Sequence, residues 1–175
     1  MDKQEILKNL HRLNEELALK KIEGEICVFG GAFMVLTYNS RKSTKDIDAV
    51  FAPKNEFYQA VRSLSDRYNL NPDWLNDSVK GFIYSDFEKH LYLELSNLKI
   101  LTPAPEYILV MKLMADREDS YDEQDIKTLL QELNIKDSKQ VLDLLDTIVP
   151  EKLLNVRIKY RIIELIEEIW DNAVL

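Results

Sequence analysis

The chain has 175 residues, 46% of them hydrophobic and 31% charged, which excludes disorder as its main state and suits one domain or a compact domain with a helical appendage. A net charge of −8 excludes indiscriminate binding along DNA through a broad basic surface, while leaving room for a local basic patch. No apolar run reaches the roughly 20 residues that cross a bilayer, Met1–Glu5 has neither the basic flank nor the apolar core of a signal peptide, and the single cysteine, Cys27, excludes an intrachain disulfide and a multi-cysteine zinc site, so the expected compartment is the cytoplasm with no membrane partner.

In chain order, Ile6, Leu10, Leu13 and Leu17 recur at helical spacing, and Gly24 is expected to stop that helix. Glu25 to Phe29 is a short apolar run bounded by glycines and reads as a buried strand, with Cys27 as a small core residue. Gly is scarce, at four in all, so the adjacent pair Gly30-Gly31 marks an unusual backbone before a short helix from Ala32 to Tyr38. Ser40 to Lys45 is a polar, basic loop, and Asp46 to Phe51 a second strand closed by Pro53.

Asn55 is expected to cap a helix from Glu56 to Tyr68, and Asn71-Pro72-Asp73 is turn chemistry. Strands are expected at Gly81 to Ser85, Leu91 to Leu95 and Leu98 to Leu101. Pro103 and Pro105 then open a helix holding Lys112. The remainder reads as helices over about 122–133, 137–148 and 151–170, the last with a core-facing stripe of Leu154, Ile158, Ile162, Leu165 and Ile169. The plan is α+β, with a mixed sheet and an N-terminal helix over residues 1–103 and a helical C-terminal region over 104–175.

The strongest chemical signal is Asp46-Ile47-Asp48. Residues i and i+2 of a strand face one side, so the two carboxylates point together while Ile47 enters the core. Two adjacent carboxylates repel, and a divalent cation with a preference for hard oxygen ligands relieves this. A solvated acidic edge accounts for the same tripeptide equally well. Context favours chemistry: a strand runs into Gly30-Gly31 and a helix N-terminus, where backbone N–H groups attract anions. Arg41-Lys42-Ser43-Thr44-Lys45 adds three positive charges immediately before the acids. Neither His11 nor His90 lies in a recognisable metal-ligand spacing.

The pieces Phe29-Gly30-Gly31, Lys45-Asp46-Ile47-Asp48-Ala49-Val50 and Leu93-Glu94-Leu95 resemble the nucleotidyltransferase superfamily related to DNA polymerase β. Together with Met111-Lys112-Leu113-Met114-Ala115-Asp116-Arg117, Asp122 and Asp125, they resemble its AbiEii-type branch, which includes toxins of toxin–antitoxin systems. Asp73-Trp74-Leu75-Asn76-Asp77 resembles uncharacterised members.

The resemblance implies a nucleotidyltransferase-like mixed sheet flanked by helices and a Mg²⁺- or Mn²⁺-dependent transfer of a nucleotidyl group from a nucleoside triphosphate. The acceptor it suggests is RNA, with an antitoxin as protein partner. Asp46, Asp48 and Glu94 would be the catalytic and metal-holding acids, with Glu88 and Asp86 as competitors for the third place. Gly30, Gly31, Arg41, Thr44 and Lys112 would meet the nucleotide, with Lys42, Arg117 and Asp122 as secondary candidates. Ala32 departs from the pattern, since many members place a Ser there. For Asp125 a capping or surface ion-pair role is expected. The competing reading is a catalytically silent protein of the same fold that serves as a nucleotide-binding or regulatory module.

Overall fold

Asp2 and Glu5 start the first helix by capping each other: the Asp2 carboxylate accepts the Glu5 N–H at 2.9 Å, and the Glu5 carboxylate accepts the Asp2 N–H at 2.9 Å. The helix, α1 (Lys3–Leu19), buries Ile6, Leu10, Leu13 and Leu17 completely. It ends at Lys20, and Lys21 takes a positive φ of 56°. Gly24 is therefore not its stop signal and already belongs to β1 (Gly24–Val28).

This computed structural model describes residues 1–115 and 121–170, and the chain divides into two units. The first is Met1–Gly81 with Glu88–Pro103; the second is Phe82–Phe87 with the chain from Ala104 onward.

In the first unit α2 (Gly30–Thr37) follows β1 directly, then come β2 (Ile47–Ala52), α3 (Lys54–Tyr68), β3 (Leu75–Asn76), β4 (Lys89–Glu94) and β5 (Leu98–Pro103). Pro53 rather than Asn55 occupies the cap of α3, because its extended backbone already leads into the first turn. No strand forms at 81–85. Asn76 Oδ1 accepts the Ser78 N–H at 3.0 Å and the Asp77 carbonyl accepts the Lys80 N–H at 3.1 Å, so the chain curls into a 3₁₀ turn at Ser78–Phe82.

The sheet order is β3-β2-β1-β5-β4. The β1–β2 and β4–β5 pairs are antiparallel and the β1–β5 and β2–β3 pairs parallel, which makes the sheet mixed. Ile26 and Val28, Ile47, Ala49 and Phe51, and Leu98 and Ile100 share one core with α1 and with Phe57, Ala60, Val61 and Leu64 of α3. Burying each large side chain contributes about 2 kcal/mol. By alternation Glu25, Cys27, Asp48, Val50, Lys99 and Leu101 belong to the other face. Burial pushes the Cys27 thiol up to about 12, so it stays protonated, as suits a core residue.

The second unit contains α4 (Pro105–Ala115), α5 (Asp122–Glu132), α6 (Ser138–Ile148) and α7 (Val156–Trp170). Leu109, Val110, Ile126, Leu129, Val141, Ile162 and Leu165 are buried within it. Tyr107 brings in residues 82–87: its hydroxyl accepts the Tyr84 N–H and donates to the Ser85 carbonyl, both at 3.1 Å, while Phe87 packs on its ring. Trp170 Nε1 donates to the Ile135 carbonyl at 2.9 Å and ties the end of α7 to the turn after α5. A 3₁₀ turn at Glu151–Leu153 separates α6 from α7, so the helix expected over 151–170 starts only at Val156. The architecture is α+β, as the element pattern predicted.

Candidate active site

Ile47 is fully buried, whereas Asp46 and Asp48 on either side of it are half-buried, the alternation expected of an acid pair leaving the core. Strand pairing fixes the neighbours of Asp48. Its carbonyl accepts the Phe29 N–H at 2.8 Å, which sets it against the end of β1, and on the other side it lies opposite Asn76 of β3.

Gly30 and Gly31 sit where β1 becomes α2, and glycine is favoured at each for a different reason. Gly30 has φ +58°, and a Cβ there would lie 2.9 Å from Asp48 Oδ2. The turn thus needs both the left-handed backbone and the empty space that lets the carboxylate approach. A Cβ on Gly31 would lie 2.5 Å from Thr44 Oγ1 and 2.9 Å from Arg41 Nη2. The basic loop folds over the second glycine, so a hydroxyl and a guanidinium come to the first turn of α2. Phe29, the N-cap of that helix, supplies no side-chain acceptor.

The loop is anchored by Met1, just ahead of α1. The Thr44 N–H donates to the Met1 carbonyl at 2.9 Å, and the Met1 amino group donates to the Thr44 carbonyl. Lys3 Nζ donates to the Leu36 carbonyl at 2.7 Å and holds the far end of α2. Lys42 and Lys45 are exposed on the same loop.

Asn76 is the residue that sequence reading did not single out. Its Nδ2 donates to Asp46 Oδ2 at 3.3 Å, and its Oδ1 accepts the Ser78 N–H, which fixes the amide orientation. The only signal was its place in the Asp73–Asp77 phrase. A two-residue strand in polar surroundings carries no periodicity to reveal it. In the same phrase Trp74 is 2% exposed and packs in the core.

Glu94 is not brought to the acid pair. It lies opposite Lys99, Lys99 lies opposite Glu25, and Glu25 lies opposite Ala52, four residues along β2 from Asp48. That separation is about 13 Å along the strand direction alone. Glu94 is exposed and pairs with Lys99 Nζ at 3.6 Å. The strand end level with Asp48 is that of Lys89, which pairs with Pro103, so Glu88 is the acid that the register carries toward this end. A shift between Leu91 and Leu93 in the β4–β5 ladder breaks the alternation that the Leu-Glu-Leu reading relied on.

In the second unit, Lys112 Nζ lies 2.7 Å from Asp122 Oδ1 and 2.6 Å from Asp125 Oδ2. Asp125 is 1% exposed, so its ion pair is buried and not a surface pair as expected. Two carboxylates on one buried ammonium offset its loss of hydration. Arg117 and Asp116 lie outside the described residues.

Asp46 and Asp48 supply two hard carboxylate donors. Among the described residues no cluster of three His, Cys, Asp or Glu side chains could hold a metal ion. Mg²⁺ commonly takes one or two carboxylates and completes its shell with water and substrate phosphate, so the donor set fits Mg²⁺ or Mn²⁺.

A family model described as "Nucleotidyltransferase of unknown function (DUF6036)" matches residues 7–168. The chain belongs to this nucleotidyltransferase family. The match spans the glycine pair, the acid pair, Asn76 and the Lys112 cluster alike. No curated protein and no solved structure matches the chain. Among the described residues no helix is long and apolar enough to cross a membrane.

Proposed function

We propose that this family member transfers a nucleotidyl group from a nucleoside triphosphate to an acceptor, with RNA as that acceptor. The observation that carries the reading is the convergence at one sheet end of Asp48, the Gly30-Gly31 turn, Arg41 and Thr44. The acceptor hydroxyl attacks the α-phosphorus, the bond to the β-phosphate oxygen breaks, and pyrophosphate and a proton leave. Asp46 and Asp48 would hold a Mg²⁺ or Mn²⁺, which would supply positive charge to offset that developing on the phosphates. Asn76 keeps the Asp46 carboxylate in one orientation. The Gly30-Gly31 turn admits phosphate oxygens to the start of α2, and Arg41 and Thr44 donate to them from above.

The resemblance to the AbiEii-type branch implies a nucleotide contact for Lys112, with Arg117 and Asp122 secondary, whereas the Lys112 ammonium is held by Asp122 and Asp125 within the second unit. The same resemblance supports a toxin role in the cytoplasm, opposed by an antitoxin. Glu94 has no part in the site. Its distance from Asp48 favours a second reading, in which the pair binds nucleotide without turnover.

The experiment is titration calorimetry with each nucleoside triphosphate in Mg²⁺, alongside transfer of label from the α-phosphate to total RNA. Asp46→Asn with Asp48→Asn is expected to abolish metal-dependent triphosphate binding and labelling with an unchanged circular dichroism spectrum. Glu94→Gln is expected to keep wild-type turnover. Binding without labelling selects the second reading, and equal binding in the double mutant places the site elsewhere.

A further inference from the structure

An α-helix draws negative charge to its N-terminus, because its first N–H groups have no acceptor within the helix and its dipole is positive there. α2 supplies none of that charge itself. Its N-cap, Phe29, offers no side-chain acceptor, and its first turn holds no acidic residue. The acid at this end comes from β2. A Cβ on Gly30 would lie 2.9 Å from Asp48 Oδ2 and 3.7 Å from the Asp48 Cβ and Cγ. At the next residue, the Arg41 guanidinium and the Thr44 hydroxyl close on Gly31. A carboxylate therefore sits at the turn assigned above to phosphate.

The two acids of the pair are not equivalent. The Phe29 N–H donates to the Asp48 carbonyl at 2.8 Å, which fixes the Asp48 backbone beside the start of α2. The bare Gly30 then leaves room for its side chain. Asp46 is held by another element: its Oδ2 accepts from Asn76 Nδ2 of β3 at 3.3 Å. Phosphate oxygens and the Asp48 carboxylate compete for one place, and like charges so close exclude each other.

We infer that Asp48 is the resident occupant of the phosphate turn, which makes the site select triphosphate accompanied by a divalent cation over the metal-free anion. The inference rests on the triphosphate reading above and assigns its two acids different tasks. With no cation, the Asp48 charge closes the first turn of α2 to phosphate. A cation shared with Asp46 offsets that charge and opens the turn. Asp46 serves only as a ligand. Removing the Asp48 charge should thus create metal-free anion binding, whereas the mere loss of a metal ligand creates none.

The test is titration calorimetry with inorganic tripolyphosphate in EDTA, where neither cation nor turnover takes part. The wild type is expected to bind weakly. Asp48→Asn, nearly isosteric, is expected to bind about tenfold or more tightly than wild type. Asp48→Ala, which lacks the amide donors of asparagine, is expected to show the gain as well. Asp46→Asn removes the same charge away from the turn and is expected to leave the affinity unchanged. Adding Arg41→Ala to Asp48→Asn is expected to cancel the gain, and circular dichroism melts control for folding. No gain in either Asp48 variant, an equal gain in Asp46→Asn, or a gain that survives Arg41→Ala overturns the inference. The expected gains in a protein that transfers no label to RNA uphold the role of Asp48 and remove the transfer reading. Label transfer by a wild type that binds tripolyphosphate equally with and without Mg²⁺ does the reverse.

Discussion

Gly31 is held to glycine by its neighbours, whereas Gly30 is held by its backbone as well. In Gly31→Ala the new methyl meets Thr44 Oγ1 and Arg41 Nη2 within 3 Å, so the loop must lift while the turn keeps its dihedral angles. The expected outcome is a melting temperature within a few degrees of wild type and triphosphate affinity reduced by about tenfold or more, since a displaced guanidinium loses its paired donors to phosphate. Calorimetry beside a thermal melt checks this; unchanged affinity would remove Arg41 and Thr44 from the phosphate site. Much of the site at this scale was legible because it is local in sequence: a glycine pair after a strand, and two acids around an isoleucine. Asn76 and Glu94 were not, because their places depend on which strands pair and in what register. A Leu-Glu-Leu setting says that an acid lies on a strand, not at which end of the sheet.

Asp77 binds elements of the first unit together. Its carboxylate accepts from Lys80 Nζ and from the Tyr58 hydroxyl, each at 2.8 Å, and lies 3.1 Å from Lys54 Nζ, so α3 is fastened to the turn after β3. The Lys80 hydrogen bond, then those from Tyr58 and Lys54, hold this carboxyl well below the usual carboxylate range. An unfolded Asp titrates near ~3.9. The folded form keeps its charge to lower pH, so this stabilisation is complete above about pH 4 and is lost as pH falls below that toward the depressed folded value. Asp77→Asn is expected to lower the melting temperature at pH 7 by about 2 °C, a small effect because both lysines are partly exposed and screened. The gap between variant and wild type should narrow progressively as pH falls below about 4 and close only toward the depressed folded value. A gap that does not narrow at all over that range would assign the effect to packing. The long helices and the strands β1, β2 and β5 were legible from periodicity and apolar runs. The 3₁₀ turn at Ser78–Phe82 was not, because side-chain bonds from Asn76 bend a stretch whose composition suits a strand.

At the scale of the whole molecule, the charge of −8 opposes any polyanionic acceptor, so attraction must be local. Added salt screens both effects, but they have opposite signs: it relieves the general repulsion and weakens each lysine–phosphate contact. An acceptor that meets the basic loop therefore shows a salt dependence set by the few cations that touch it. Lys42 is exposed and lies beside Arg41 in the loop that covers Gly31. If Lys42 neutralises one phosphate of a single-stranded RNA, Lys42→Ala raises KM for RNA at low salt. It also makes the slope of log affinity against log salt shallower by about 0.7, with triphosphate affinity unchanged. Arg41→Ala is the contrasting case, since a group donating to the triphosphate lowers nucleotide affinity first. Initial rates over a range of salt, with RNA and triphosphate varied separately, distinguish the two. An unaltered slope in Lys42→Ala would mean that the acceptor approaches from another side of the sheet end and that the exposed lysine serves only solubility.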